Sequence, residues 1–85
     1  MNKHDIQALI EIGMPEAQVE VTGDDGQHFE ALVISSDFEG KRLLQRHQQV
    51  YACLGEKMGH EIHALRLATM TPAEAQQKSS HEQTN

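Results

Sequence analysis

The stretch Phe38-Glu39-Gly40-Lys41-Arg42-Leu43-Leu44-Gln45-Arg46-His47-Gln48-Gln49-Val50-Tyr51, running on to Met58, decides how this chain is organised. Leu43, Leu44, Val50, Tyr51, Leu54 and Met58, with His47 as a partial member, recur at three- and four-residue steps. That period predicts a helix from about Gly40 whose apolar stripe lies on a core. Gly55 falls inside the pattern and predicts a kink or a break into two shorter helices, and Gly59 ends it. The opposite face carries Lys41, Arg42, Gln45, Arg46, Gln49 and Lys57. It is the only basic cluster in a chain with 7 Lys and Arg against 13 Asp and Glu. Lys41, Arg42, Arg46 and His47 are therefore candidate contacts for a partner protein or a nucleic acid.

Working outward, Phe29 to Ser35 upstream of this helix is rich in apolar residues and reads as an inner strand. Ala17 to Thr22 alternates, with Val19 and Val21 on one side and Gln18, Glu20 and Thr22 on the other, as a half-buried strand does. Gly23-Asp24-Asp25-Gly26 between them supplies turn residues, so the two strands form a hairpin. Further upstream, Ile6, Leu9 and Ile10 share a helical face over Asn2 to Ile12. Asn2 or Asp5 favours its start, and Gly13 with Pro15 stops it. Downstream, Glu61 to Thr69 reads as a third strand. Thr71-Pro72-Ala73-Glu74 is a helix-start signal with a Thr cap, a Pro in the first turn and a Glu at the capping-box position. From Gln76 the chain has no apolar face, which predicts a domain over 1–75 and a disordered polar tail over 76–85.

The element order predicts an α+β fold, with helices covering a three-stranded sheet. The crossover through the helix allows the third strand to pair parallel. A chain of 85 residues holds one small domain, with one Tyr, two Phe and no Trp to fill its core. Its stability belongs at the low end, about 5 kcal/mol. The net charge of −6 opposes indiscriminate binding of polyanions. One cysteine, Cys53, gives no intramolecular disulfide. The N-terminus shows no signal peptide and no run approaches the ~20 apolar residues of a membrane span, so the expected location is the cytoplasm.

Six histidines raise the question of which can meet in space. His28 opens the second hairpin strand and His63 opens the third strand, so both sit near element ends at the rim of a sheet. Together they could offer two nitrogen ligands to a metal or an iron–sulfur centre, a set that needs a partner to complete it. Against this stands the plain reading of both as partly exposed strand residues. His47 reads chiefly as a boundary residue over the core edge, and Cys53 as a small residue at the core margin. His4, His60 and His81 read as solvated surface. Asp24 and Asp25 are explained as turn formers. Gly23-x-x-Gly26 resembles the clamp of KH domains but lies between strands, where that clamp does not function. No nucleophile, base and orienter set is present, so an enzyme is the least supported class.

Five strings occur in series: His28-Phe29, Phe38-Glu39-Gly40-Lys41, Arg46-His47-Gln48-Gln49-Val50-Tyr51, Ile62-His63-Ala64-Leu65 and Thr71-Pro72-Ala73-Glu74. In this order and spacing the chain resembles the BolA family over residues 4 to 75, closest to its short bacterial IbaG-type (YrbA-type) members. The resemblance implies a class II KH-like fold, α-β-β-α-α-β with a short C-terminal helix. It also implies a non-enzymatic partner of monothiol glutaredoxins, sharing a 2Fe-2S cluster with the glutaredoxin cysteine and glutathione, and no cofactor in the isolated chain. The family's histidine ligand falls on His63. Its second ligand comes from the hairpin loop, where His28 is the candidate and Asp25 a weaker alternative, at the slot that holds Cys in one branch. Ala75 stands where many members have Trp. A role in transcription or stress response, through DNA binding by the basic helix, and a homodimer are the further implications.

Overall fold

Reciprocal hydrogen bonds start the first helix. The Asp5 backbone N–H donates to Asn2 Oδ1 at 3.0 Å while the Asn2 N–H donates to Asp5 Oδ2 at 3.2 Å, so two otherwise orphaned donors are satisfied. The computed structural model describes residues 1–62 and 64–83, with 78–83 as backbone. In it α1 spans Lys3–Gly13, β1 Gln18–Thr22, β2 His28–Ile34, α2 Leu43–Leu54, β3 Ala64–Met70 and α3 Pro72–Gln83. Short 3-10 turns at Ser36–Phe38 and Gly55–Lys57 flank α2.

The sheet has the order β1-β2-β3. β1 and β2 form the expected hairpin, with Val19 opposite Val33 and Val21 opposite Ala31. β3 pairs parallel to β2, with His28 opposite Ala64, Phe29 opposite Leu65 and Ala31 opposite Leu67. Because side chains alternate across a strand, Phe29, Ala31 and Val33 fall on one face and are buried. They pack with Val21 against Ile6, Ile10 and Met14 on the α1 side and Val50 and Leu54 of α2. Phe38 and Ile62 complete this core, both fully buried. The opposite face presents Glu20, Thr22, His28, Glu30, Arg66 and Ala68, all exposed, so the helices cover one side only.

Three boundaries move from their expected places. α2 begins at Leu43 rather than near Gly40, because Ser35 caps a separate turn, its Oγ accepting the Asp37 N–H at 3.0 Å. At Gly55, with φ of 56°, the backbone leaves the helix, which gives the break the sequence predicted. β3 begins at Ala64 rather than Glu61: the Glu61 and Ile62 N–H groups both donate to the Lys57 carbonyl, folding this segment into a turn that drops Ile62 into the core. The polar run from Gln76, expected as a tail, continues α3 as helical backbone to Gln83. Gln76, Gln77, Lys78, Glu82 and Gln83 are good helix formers, and they carry the backbone onward without an apolar run.

The apolar stripe of α2 also divides. Val50 and Leu54 are buried, whereas Leu43, Leu44 and Tyr51 are 62%, 69% and 37% exposed. At about 100° per residue, Tyr51 and Leu44 stand roughly 100° and 120° round the helix from Val50, too far to reach the sheet. Leu43 shares the Val50 line but lies in the first turn, past the edge of the core.

Arg46 occupies that edge. Its Nε–H donates to the Lys41 carbonyl at 2.9 Å, and its Nη1 and Nη2 grip Glu74 Oε1 and Oε2 at 2.7 and 3.2 Å. The guanidinium lies over the Phe38 ring, 5.8 Å from its centroid. Glu74 closes the predicted capping box as well, accepting the Thr71 N–H at 2.9 Å while its own N–H donates to Thr71 Oγ1 at 3.1 Å. One ion pair thus ties α2, the loop before it and the start of α3.

Two outcomes are expected. In urea unfolding, Phe38→Ala should cost about 3–5 kcal/mol, most of the stability of so small a domain, while Leu44→Ala should change it by no more than about 0.5 kcal/mol. The Arg46 guanidinium, aided by the Thr71 N–H, holds the Glu74 carboxyl down at about 2 from its ordinary 4.5. A depressed folded-state value means stability that is present above the ordinary value and lost as pH falls toward 2. Thermal melts of wild type and Glu74→Gln should therefore differ at pH 7 and converge between about pH 5 and 2.

Candidate functional site

The hairpin turn folds around one carboxylate. Asp25 Oδ1 accepts the backbone N–H groups of Gln27 at 2.9 Å and His28 at 2.8 Å, and Oδ2 sits 2.8 Å from His28 Nδ1. Gly26, with φ of 75°, lets the chain double back within this span. A Cβ at Gly23 would lie 2.6 Å from the His28 carbonyl and 2.8 Å from Phe29 Cδ1, so the end of β1 closes onto the start of β2 only because position 23 has no side chain. Three donors stabilise the charged form of Asp25, the backbone N–H of His28 most of all, and hold its carboxyl far below the usual carboxylate range.

This arrangement presents His28 at the rim of the sheet. Its side chain is 73% exposed, and Nε2 makes no hydrogen bond among the described residues. An open groove of about 670 Å³ runs beside it, lined by Thr22, Gly23, Glu30, Ala64 and Arg66 among others. The parallel register puts His28 opposite Ala64, the first residue of β3. His63, the other predicted ligand, precedes Ala64 in the chain and lies outside the described residues. Among the described residues no three His, Cys, Asp or Glu side chains converge as a metal-binding group. What is described is one exposed imidazole held by a carboxylate, a donor that fits a shared metal centre and does not close one alone.

Asp25, the weaker alternative ligand, has both lone pairs of Oδ1 taken by backbone N–H groups, so it is engaged within the turn. The basic helix face differs from its sequence reading. Arg46 is committed to Glu74, with 13% of its side chain exposed, and is a structural residue rather than a free cation. Lys41 Nζ donates to Gln49 Oε1 at 2.7 Å, and Lys57 pairs with Glu61 at 3.4 Å. Arg42 is exposed and forms no side-chain ion pair among the described residues. His47 is half-buried, edge-on to Tyr51 with ring centroids 6.4 Å apart, as a boundary residue should be, and its buried Nε2 has no hydrogen-bond partner among the described residues. Cys53 is half-buried, its Sγ 3.5 Å from the Gln49 carbonyl, and burial pushes its thiol up, away from reactivity. Among the described residues no helix is long and apolar enough to cross a membrane.

Sequence reasoning missed the tie between Asp25 and His28, treating the aspartate as a turn former and a weaker alternative ligand. The signal was Asp-Gly-x-His, a carboxylate three residues before an imidazole across a glycine.

Comparison with known proteins agrees with this architecture. The family model described as "BolA-like protein" matches residues 7–74. A BolA protein homologue from Coxiella burnetii superposes with a TM-score of 0.80 at 47% identity, covering 89% of this chain and 97% of that one. The BolA domain of SufE1 from Arabidopsis thaliana superposes with a TM-score of 0.72 at 30% identity, covering 85% and 93%. The "DNA-binding transcriptional regulator BolA" of Haemophilus influenzae is 47% identical over 47 residues, 55% of this chain and 46% of that protein. The chain spans about half the length, or less, of several curated relatives it matches. A family match from α1 to the first turn of α3, on the fold these neighbours share, makes this chain a member of the BolA-like protein family.

Proposed function

We propose that the chain is a non-enzymatic adaptor in iron–sulfur cluster assembly or trafficking in the cytoplasm, of the short IbaG-type branch. In this reading it forms a heterodimer with a monothiol glutaredoxin around a 2Fe-2S cluster. The observation that carries the reading is His28, exposed at the rim of the sheet beside an open groove, with one ring nitrogen held by Asp25 and the other without a hydrogen bond among the described residues. His63 is the family's histidine ligand on the strength of the resemblance, with His28 as the second. A pair of neutral imidazoles leaves a centre that thiolates must complete, which is what the glutaredoxin cysteine and glutathione would supply. When bound, such a cluster supplies one-electron chemistry and transferable iron and sulfide. Neutral ligands in place of thiolates raise its potential and make its retention sensitive to pH.

The test is to assemble the chain with a monothiol glutaredoxin, iron, sulfide and glutathione, and to record visible circular dichroism. His63→Ala should abolish the spectrum of the heterodimer, and His28→Ala should weaken cluster retention. Wild-type spectra from both variants would sink the reading.

A second reading has support in the name of the Haemophilus influenzae relative, which describes a DNA-binding regulator. Here Arg42 and Lys41 would be the contacts, since Arg46 is engaged internally. A band-shift titration across salt separates the two. DNA binding predicts a complex that survives competitor and weakens with Arg42→Ala, whereas the adaptor reading predicts no specific complex at about 0.15 M salt.

A further inference from the structure

We propose that Asp25 is a positioning residue that holds His28 in the tautomer with its proton on Nδ1, so that Nε2 is the nitrogen offered to the metal. The inference rests on the reading of His28 as a ligand and adds to it the residue that decides which of its two nitrogens is presented. Asp25 Oδ1 is pinned by two backbone donors at 2.9 and 2.8 Å, which fixes the plane of the carboxylate and leaves Oδ2 aimed at the ring. A carboxylate accepts and does not donate, so a 2.8 Å contact between Oδ2 and Nδ1 requires the hydrogen to sit on Nδ1. Neutral imidazole in water favours the other tautomer, with the proton on Nε2. The turn therefore reverses the intrinsic preference and frees the Nε2 lone pair. A carboxylate behind a ligating histidine also raises the basicity of the ligand and orients its ring.

The same geometry supplies a variant that inverts the effect while keeping the turn. In Asp25→Asn the amide oxygen can still accept the Gln27 and His28 N–H groups. The amide nitrogen then faces Nδ1 as a donor, so Nδ1 must accept and the proton moves to Nε2. A histidine side-chain ¹⁵N correlation spectrum of the isolated, metal-free chain, at a pH well above the imidazole range, reads the tautomer directly. His28 is assigned by the signals lost in His28→Gln. Slowed amide exchange at Gln27 and His28 reports that the turn persists.

The expected result is an Nδ1–H tautomer in wild type and an Nε2–H tautomer in Asp25→Asn, with both turn amides still protected. In the assembly with glutaredoxin, iron, sulfide and glutathione, Asp25→Asn should then weaken cluster retention roughly 10–100-fold, the usual effect of removing such a partner. An Nε2–H tautomer in wild type, or the same tautomer in both proteins, overturns the assignment of Asp25 whatever the cluster does. Tautomers as expected together with normal assembly by His28→Ala overturn instead the reading of His28 as a ligand. The two failures are thus told apart.

Discussion

The parallel pairing of β2 with β3 is the constraint on which the rest of this small structure depends. Parallel neighbours cannot be joined by a tight turn, so the chain between them must cross over the sheet, and α2 is that crossover. Once α2 lies on the sheet, the buried residues of β2 have a partner layer and α1 fills the remaining width of the same face. The pairing also brings the first residues of β2 and β3 to one rim, opposite one another at His28 and Ala64. The candidate site is a product of register: a slip of one residue would turn His28 toward the core and Phe29 to solvent.

A second constraint explains how an acidic chain spends its few cations. Arg46 stands where the end of the core would otherwise open, and the ion pair with Glu74 lets its aliphatic stem and guanidinium cover Phe38. What the periodicity marks as a basic face is largely internal wiring. The surface α2 leaves free is more apolar than expected, with Leu43, Leu44 and Tyr51 in view.

The fold was legible because α1, the hairpin, the end of α2 and the start of α3 carried their own punctuation. Asn2 with Asp5, Gly55, and Thr71 with Glu74 act where the sequence placed them, and the alternation of Val19 and Val21 identified the hairpin. Hydrophobic period was a poorer guide to which apolar residues are inside. It assigns a face but does not say how wide the opposing layer is, and a three-stranded sheet is too narrow to cover Leu44 and Tyr51. His28 was legible as a candidate from its place at a strand start. The role of Asp25 was not, because a turn former and a hydrogen-bond acceptor for a neighbouring ring are the same residue type at the same spacing. Which function it serves depends on a ring orientation that only three dimensions display.

The close approach of α1 and α2 has a consequence for the single thiol. Gly13 ends α1 against Cys53, so near that a Cβ at position 13 would come within 2.5 Å of Sγ. Position 13 therefore has no room for a side chain where the two helices approach. Burial disfavours the thiolate that alkylation or a mixed disulfide needs, although part of the half-buried residue faces solvent. A thiol reagent therefore meets Cys53 as a weakly ionised group in the native state, and any side chain placed at position 13 would change its labelling rate by pressing on Sγ.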